Sequence, residues 1–154
     1  RDPDFIGMAR RCIVGTGIDP GRIELEITES VALTETETVV ETLRRMKRFG
    51  VSIAVDDFGS GFSSLGHLQR LPLDRLKIDR AFVADLSPGS SGSTIAETIV
   101  KLGHLLGLTV IAEGVETREQ LDTLRRMGCQ EVQGFYFSPP VPAEAFPALL
   151  KKAL

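Results

Sequence analysis

The chain has 154 residues, of which 42% are hydrophobic, 25% charged and 6% aromatic, a composition typical of one globular domain with its own core. Its formal net charge of -3 excludes a broadly basic face for DNA or for an anionic membrane. No apolar run reaches the roughly 18 residues of a membrane span. Two distant cysteines, Cys12 and Cys129, fit no metal-ligand spacing and indicate reduced, buried thiols in a cytoplasmic protein.

Short runs rich in β-branched residues alternate along the chain with helical patterns. The first predicted element is a helix over Pro3–Thr16, which ends at Gly17. Five strands are predicted at Ile23–Thr28, Val51–Asp56, Arg75–Asp79, Thr109–Glu113 and Glu131–Phe135. The helices predicted between and after them cover Thr34–Phe49, Ser63–Leu71, Thr94–Leu106, Thr117–Met127 and Ala143–Ala153. The Ser/Gly-rich stretch Ser87–Ser93 is predicted to be a flexible loop.

This strict alternation predicts an α/β fold with parallel strands and right-handed crossovers. An open doubly wound sheet and a (β/α)8 TIM-type barrel both fit the order of elements. One face of each strand is apolar, whereas the other carries polar residues toward its C-terminal end, and this asymmetry favours the barrel. Five units cannot close a barrel of eight. We therefore predict an incomplete arc of about five β/α units, preceded by one helix.

Acidic residues recur on the inward face of the predicted strands. Glu26, Asp56, Asp57 and Glu113 would meet at one rim, where their charges repel unless a cation compensates them. Oxygen ligands without paired His or Cys favour Mg²⁺, Mn²⁺ or Ca²⁺. The adjacent aspartates suggest two ions, an arrangement typical of phosphoryl transfer. Lys77 would add a point charge for a phosphate oxygen or an attacking hydroxide.

Each of these features also has a simpler interpretation. An isolated Asp-Asp pair before a glycine is more often a turn than a metal site, and only the shared face of several strands favours the metal. The Asp57–Ser64 segment is a tight βα turn with a capping serine, a mobile loop over the metals or a helix N-terminus that contacts a phosphate. It lacks the lysine of a P-loop, which excludes a nucleoside-triphosphatase site. The aromatic residues Phe135–Phe137 could stack on a base or fill a core.

Five segments resemble, in order and spacing, the signature motifs of the EAL domain family. They are Glu26-Ile27-Thr28-Glu29-Ser30, Asp56-Asp57-Phe58-Gly59-Ser60-Gly61, Leu76-Lys77-Ile78-Asp79, Ala112-Glu113-Gly114-Val115-Glu116-Thr117 and Gln133-Gly134-Phe135. The resemblance extends over essentially the whole chain. It implies a (β/α)8-type barrel and hydrolysis of cyclic di-GMP to the linear dinucleotide pGpG. It also implies two Mg²⁺ or Mn²⁺ ions, with inhibition by Ca²⁺.

The resemblance also implies a set of metal ligands. Glu26 and Asp56 resemble ligands of the first metal, with Asp56 bridging to the second. Asp57 and Glu113 resemble ligands of the second metal, and Glu113 is also a candidate general base.

Four further residues match positions with other roles in the family. Lys77 is similar to the lysine that holds the nucleophilic water, and Glu116 and Gln133 resemble residues that order the site. Glu29 resembles the glutamate that anchors the Asp57–Ser64 loop and links ligand binding to dimerisation.

One departure from the family pattern sets an expectation for the chain itself. The Glu-Ala-Leu motif is absent, together with its metal-ligand glutamate, a nearby substrate-contacting arginine and an upstream metal-ligand asparagine. Residues 1–154 are thus expected to be a partial EAL phosphodiesterase domain that lacks about three strands and is inactive alone. Expected partners are cyclic di-GMP, a second copy in a homodimer, and flanking sensor or GGDEF-type domains, with no DNA and no membrane contact. The alternatives are a non-catalytic cyclic di-GMP receptor and an unrelated Mg²⁺-dependent barrel enzyme that forms an enolate.

Overall fold

Helices and parallel strands alternate along the chain in the computed structural model, which describes residues 4–34, 36–59, 65–87 and 90–153. The strands are β1 Glu24–Thr28, β2 Ser52–Phe58, β3 Arg75–Ile78, β4 Thr109–Ala112 and β5 Glu131–Val132. The helices are α1 Phe5–Thr16, α2 Glu29–Leu33, α3 Glu37–Arg48, α4 Leu65–Leu68, α5 Arg80–Ala84, α6 Ser91–Leu106, α7 Arg118–Met127 and α8 Phe146–Ala153. Short 3₁₀ turns cover Pro20–Arg22 and Ala143–Ala145.

The five strands form one parallel sheet in the order β1-β2-β3-β4-β5. Every crossover therefore advances by one strand in the same direction. A doubly wound sheet reverses this direction at its switch point, whereas a barrel never does. The order confirms the predicted α/β arc of a TIM-type barrel and excludes the open doubly wound alternative.

The core lies between the outer face of this sheet and the helices. Alternate residues of β2, β3 and β4 are fully buried there, as Ile53, Leu76 and Val110 show. Apolar residues of α3, α6 and α7 pack against them, among them Leu43 and Val100. Full burial of each such side chain contributes about 1.5–3 kcal/mol. Because this outer face is apolar, the polar residues of the same strands all face the concave side.

Several predicted boundaries are wrong in ways that have local causes. The strand expected at Glu131–Phe135 is shorter and ends at Val132. The short helices α2 and α5 were not expected. Helix α6 begins inside the stretch Ser87–Ser93, because Ser90 caps it and the Asp85 carboxylate accepts a hydrogen bond from Gly92 N at 2.9 Å. Residues 88–89 of that stretch and residues 60–64 of the expected loop lie outside the described residues.

The two cysteines are free, but the expectation that both are buried is wrong for Cys12, which is exposed on α1. Helix α1 has no fully buried residue, so its apolar positions are only partly covered. Cys129 is partly buried, and its thiol contacts the carbonyl oxygens of Val110 and Glu131. None of the described helices combines the length and the apolar character needed to cross a membrane.

Candidate metal centre

The site begins with an irregularity at the C-terminal end of β2. Val55 pairs with Leu76 and Phe58 pairs with Ile78, so β2 contains one residue more than β3 over the same span. Asp57 adopts a positive φ of 54°, a left-handed conformation that only a few per cent of non-glycine residues adopt. In a regular strand Asp57 would point away from Asp56. The extra residue brings both carboxylates to the same edge of the sheet.

Lys77 lies at the centre of the site. Its side chain is only 7% exposed, and Nζ lies 2.5 Å from Glu26 Oε1, 3.1 Å from Asp56 Oδ1 and 2.7 Å from Glu113 Oε1. These carboxylates come from β1, from β2 and from the residue after β4. One ammonium group therefore compensates acids from three segments of the arc.

Three carboxylates form a compact group beside this lysine. Asp56, Asp57 and Glu113 each offer one oxygen within 4.8 Å of the others. Asp56 Oδ1 is buried and faces the Lys77 ammonium group in an ion pair at 3.1 Å. That single ammonium group is shared among Glu26, Asp56 and Glu113, so the crowded acids retain negative charge that a further cation would compensate. The donor set is entirely carboxylate, as Mg²⁺ and Mn²⁺ prefer, so the residues present fit a divalent ion of this class.

The electrostatics of the site are those of crowded acids around one cation. Partial burial raises the pKa of Asp57, and the carboxylates of Asp56 and Asp79 raise it further. Burial alone would lower the pKa of Lys77, but the contacts with Glu113, Glu26 and Asp56 outweigh burial and raise this pKa above its ordinary value. The lysine is therefore fully charged at any pH at which the protein would work.

The other predicted site residues lie at different distances from this group. Glu26 contacts Lys77 but is 46% exposed and supplies no oxygen to the three-carboxylate group. Glu116 and Gln133 are both exposed at the same rim. Their backbones are fixed, because Glu116 N donates to Gln120 Oε1 and Gln133 N donates to Ala112 O, each at 2.8 Å. Among the described residues, Glu116 does not belong to the group of carboxylates formed by Asp56, Asp57 and Glu113.

Glu29 is buried, with 3% of its surface exposed, directly after β1. Its Oε2 accepts a hydrogen bond from Gly59 N at 3.1 Å, so it holds the backbone that follows Asp57 and Phe58. Gly59 has a φ of 102°, and an added Cβ would lie 2.8 Å from the Phe82 ring. The structure thus places Glu29 against the start of the loop that it was expected to anchor, while the rest of that loop lies outside the described residues.

Sequence reasoning missed a second cation on the concave face. Arg75 Nε lies 3.1 Å from Glu24 Oε2, and Arg75 Nη1 lies 2.7 Å from Glu131 Oε2. The signal was available, because Arg75 has the same strand parity as Lys77 and both glutamates have inward parity in their own strands.

The EAL domain model matches residues 1–140. The chain belongs to the EAL domain family. The EAL chain is 41% identical over 147 residues to the cyclic di-GMP phosphodiesterase NbdA of Pseudomonas aeruginosa, an alignment covering 96% of this chain and 19% of NbdA.

Solved EAL structures agree closely with this fold. The cyclic di-GMP complex of the phosphodiesterase PaMucR is 40% identical and superimposes with a TM-score of 0.89, over 94% of this chain and 58% of that one. The manganese and cyclic di-GMP complex of Klebsiella pneumoniae BlrP1 is 34% identical with a TM-score of 0.81, over 91% of this chain and 36% of that one. The EAL chain spans about a fifth of the length of the curated relatives it matches.

Proposed function

We propose that this EAL chain carries most of an active site that hydrolyses cyclic di-GMP to linear pGpG with two Mg²⁺ or Mn²⁺ ions. The observation that carries the proposal is the group formed by Asp56, Asp57 and Glu113 around Lys77, at the C-terminal edge of parallel strands. Family membership and relatives described as cyclic di-GMP phosphodiesterases support the choice of substrate.

The proposed metal ligands divide between two ions. Asp56 would bridge them, because it shares the Lys77 ammonium group with Glu26 and belongs to the same carboxylate group as Asp57. Glu26 would join Asp56 at the first ion, and Asp57 and Glu113 would hold the second. Bound ions of this kind supply Lewis acidity toward a phosphoryl oxygen and activate a water.

The chain's own residues contribute binding and proton chemistry. Lys77 carries a fixed positive charge and three donor hydrogens, so it can orient a water or a phosphate oxygen and favour the negative charge of the transition state. Glu113, which lies 2.7 Å from that ammonium group, would accept the proton of the attacking water in this proposal. The exposed groups of Glu116 and Gln133 are available at the same rim to order that water.

The domain that contains this site extends, in our proposal, beyond these 154 residues. The sequence contains no Glu-Ala-Leu segment, whereas the family pattern takes a metal-ligand glutamate from that segment and an asparagine from a nearby strand. Both edge strands, β1 and β5, are paired on one side only among the described residues. We infer that the 154 residues alone are inactive and dimeric or prone to aggregation. Added upstream strands would supply the ligands and close the sheet together.

The test is a turnover assay on the complete domain with Mg²⁺ or Mn²⁺, in which cyclic di-GMP and pGpG are separated by chromatography. We expect metal-dependent conversion to pGpG, and no conversion by the isolated 154 residues. Binding of cyclic di-GMP without any turnover by the complete domain would identify a non-catalytic receptor instead. Absence of both binding and turnover would contradict the choice of substrate, and with it the proposed function.

A further inference from the structure

The concave face of the sheet carries a second layer of charge, away from the metal-binding rim. Arg75 on β3 contacts Glu24 on β1 and Glu131 on β5 through different nitrogens of one guanidinium group. The side chains of Arg75 and Glu24 are 33% and 25% exposed, whereas Glu131 is 45% exposed. The middle strand of the arc is thus joined directly to both edge strands.

These two contacts require a curved sheet. Neighbouring strands lie about 4.8 Å apart, so β1 and β5 would be about 19 Å apart if the five strands were flat. One guanidinium group cannot reach carboxylates at both ends of such a flat sheet. Curling brings Glu24 and Glu131 toward each other over β3. The two ion pairs in turn favour the curled state, because opening the arc separates both glutamates from Arg75.

The planar guanidinium group suits this role better than an ammonium group. Arg75 presents Nε to Glu24 and Nη1 to Glu131, so two carboxylates bind along two edges of a rigid fork. Ala54, which pairs with Arg75 on the neighbouring strand, has only a methyl group and leaves the path to β1 open.

On the same strands, the residues of the metal-binding rim lie two positions further along. Arg75 precedes Lys77 on β3, Glu24 precedes Glu26 on β1, and Glu131 precedes Gln133 after β5. Side chains two residues apart on a strand share a face. The distance between the strands at Arg75, Glu24 and Glu131 therefore sets the distance between the same strands at the metal-binding rim. Arg75 itself does not touch the acidic cluster.

We propose that Arg75 is a positioning residue, which clamps β1 and β5 so that the metal-binding rim keeps its geometry. The catalytic part of this inference rests on the proposed function, whereas the clamp itself does not. Mutation of a residue that supports the metal ligands without binding the metal typically lowers metal affinity or activity 10- to 100-fold. An effect of this kind separates a clamp from a residue that only adds stability.

The first measurement is amide hydrogen exchange of β1 in the complete domain in EDTA, where no metal holds the rim. Arg75→Met should make the β1 amides exchange faster by about tenfold, because the edge strand opens more often. The second is Mn²⁺ affinity by calorimetry, which should fall by about tenfold. In the turnover assay, kcat should fall by a similar factor while KM stays within about threefold.

Three further variants make the result decisive. Arg75→Lys keeps the charge but loses the fork, so its values should lie between those of the wild type and Arg75→Met. Glu131→Gln removes one contact at an exposed carboxylate, and it tests the proposal even if Arg75→Met fails to fold. Arg22→Met, at an exposed position on the same end of the sheet, should leave all three measurements unchanged.

A lower melting temperature with unchanged Mn²⁺ affinity and unchanged kcat in both Arg75→Met and Glu131→Gln would make Arg75 merely structural and would overturn the proposal. If the wild-type domain does not cleave cyclic di-GMP, the proposed function fails. Hydrogen exchange and Mn²⁺ affinity still decide the clamp in that case.

Discussion

Removal of the Lys77 ammonium group should destabilise the metal-free domain in a way that added metal reverses. The substitution Lys77→Met keeps a long apolar side chain and deletes the charge that lies within 3.1 Å of three carboxylates. Glu26, Asp56 and Glu113 would then repel one another without compensation.

The magnitude follows from burial. Breaking a fully buried ion pair by removing one partner costs about 3–5 kcal/mol. Here Glu26 is 46% exposed, Asp56 24% and Glu113 20%, so water screens part of the loss. We expect a cost of about 2 kcal/mol after this discount. In a domain of this size, that corresponds to a fall of roughly 4–8 °C in melting temperature.

The effect also has a defined pH dependence. The pKa of Lys77 is raised above its ordinary value of 10.5, so its contribution is fully present below about pH 10.5 and is lost as the pH rises through the raised value. The stability difference between Lys77→Met and the wild type should therefore shrink as the pH rises through that raised value, because the wild type then loses the ammonium charge as well.

The assay is thermal unfolding of the complete domain in EDTA, followed by titration with Mn²⁺. Lys101→Met is the matched control, because Lys101 is 69% exposed and pairs with Glu97 on the surface of α6. This control should cost less than about 0.5 kcal/mol. If Lys77→Met in EDTA were as stable as Lys101→Met, the ammonium group would not compensate the acids as described.

Three further predictions concern turnover and thiol reactivity. Asp56→Asn should leave less than a tenth of wild-type turnover in the chromatographic assay at saturating Mg²⁺, because an amide cannot replace a bridging carboxylate. A tenfold fall in turnover corresponds to a rise of ~1.4 kcal/mol in the activation free energy. Higher residual turnover would refute the bridging role of Asp56. Lys77→Ala should lower kcat, while its affinity for cyclic di-GMP, measured in Ca²⁺, stays within a few-fold of the wild-type affinity. A large loss of affinity with unchanged kcat would instead make Lys77 a phosphate anchor. Burial raises the pKa of Cys129 to about 11, so iodoacetamide at pH 8 should alkylate the exposed Cys12 before Cys129. Mass spectrometry of the native protein would measure both alkylation rates. Equal alkylation rates for the two cysteines would contradict the burial of Cys129.

The strand pattern predicted both the fold and most of the rim. β-Branched residues with polar residues at alternate positions placed Glu26, Asp56, Lys77 and Glu113 on one face, and the structure brings the three acids together around the lysine. Simple alternation would have placed Asp57 on the opposite face. Only the extra residue in β2 and the positive φ of Asp57 turn it toward the cluster.

Other features depended on long-range packing and could not be predicted. The strand expected at Glu131–Phe135 stops at Val132, because the backbone at Gly134 approaches Val115 so closely that an added Cβ would lie 2.1 Å from Val115 O. Strand parity indicated that Arg75, Glu24 and Glu131 share the inward face, but the contacts among them depend on how strongly the sheet curls, which no local pattern encodes.

The central claim is that these carboxylates hold divalent metal ions, and anomalous diffraction from Mn²⁺-soaked crystals of the complete domain tests it most directly. We predict two Mn²⁺ peaks, one bonded to Asp57 and Glu113, one bonded to Glu26, and both bonded to Asp56. Lys77 should lie beside them with its contact to at least one carboxylate released. Mn²⁺ peaks away from this cluster, or none at saturating Mn²⁺ with the Lys77 ion pairs intact, would contradict the claim.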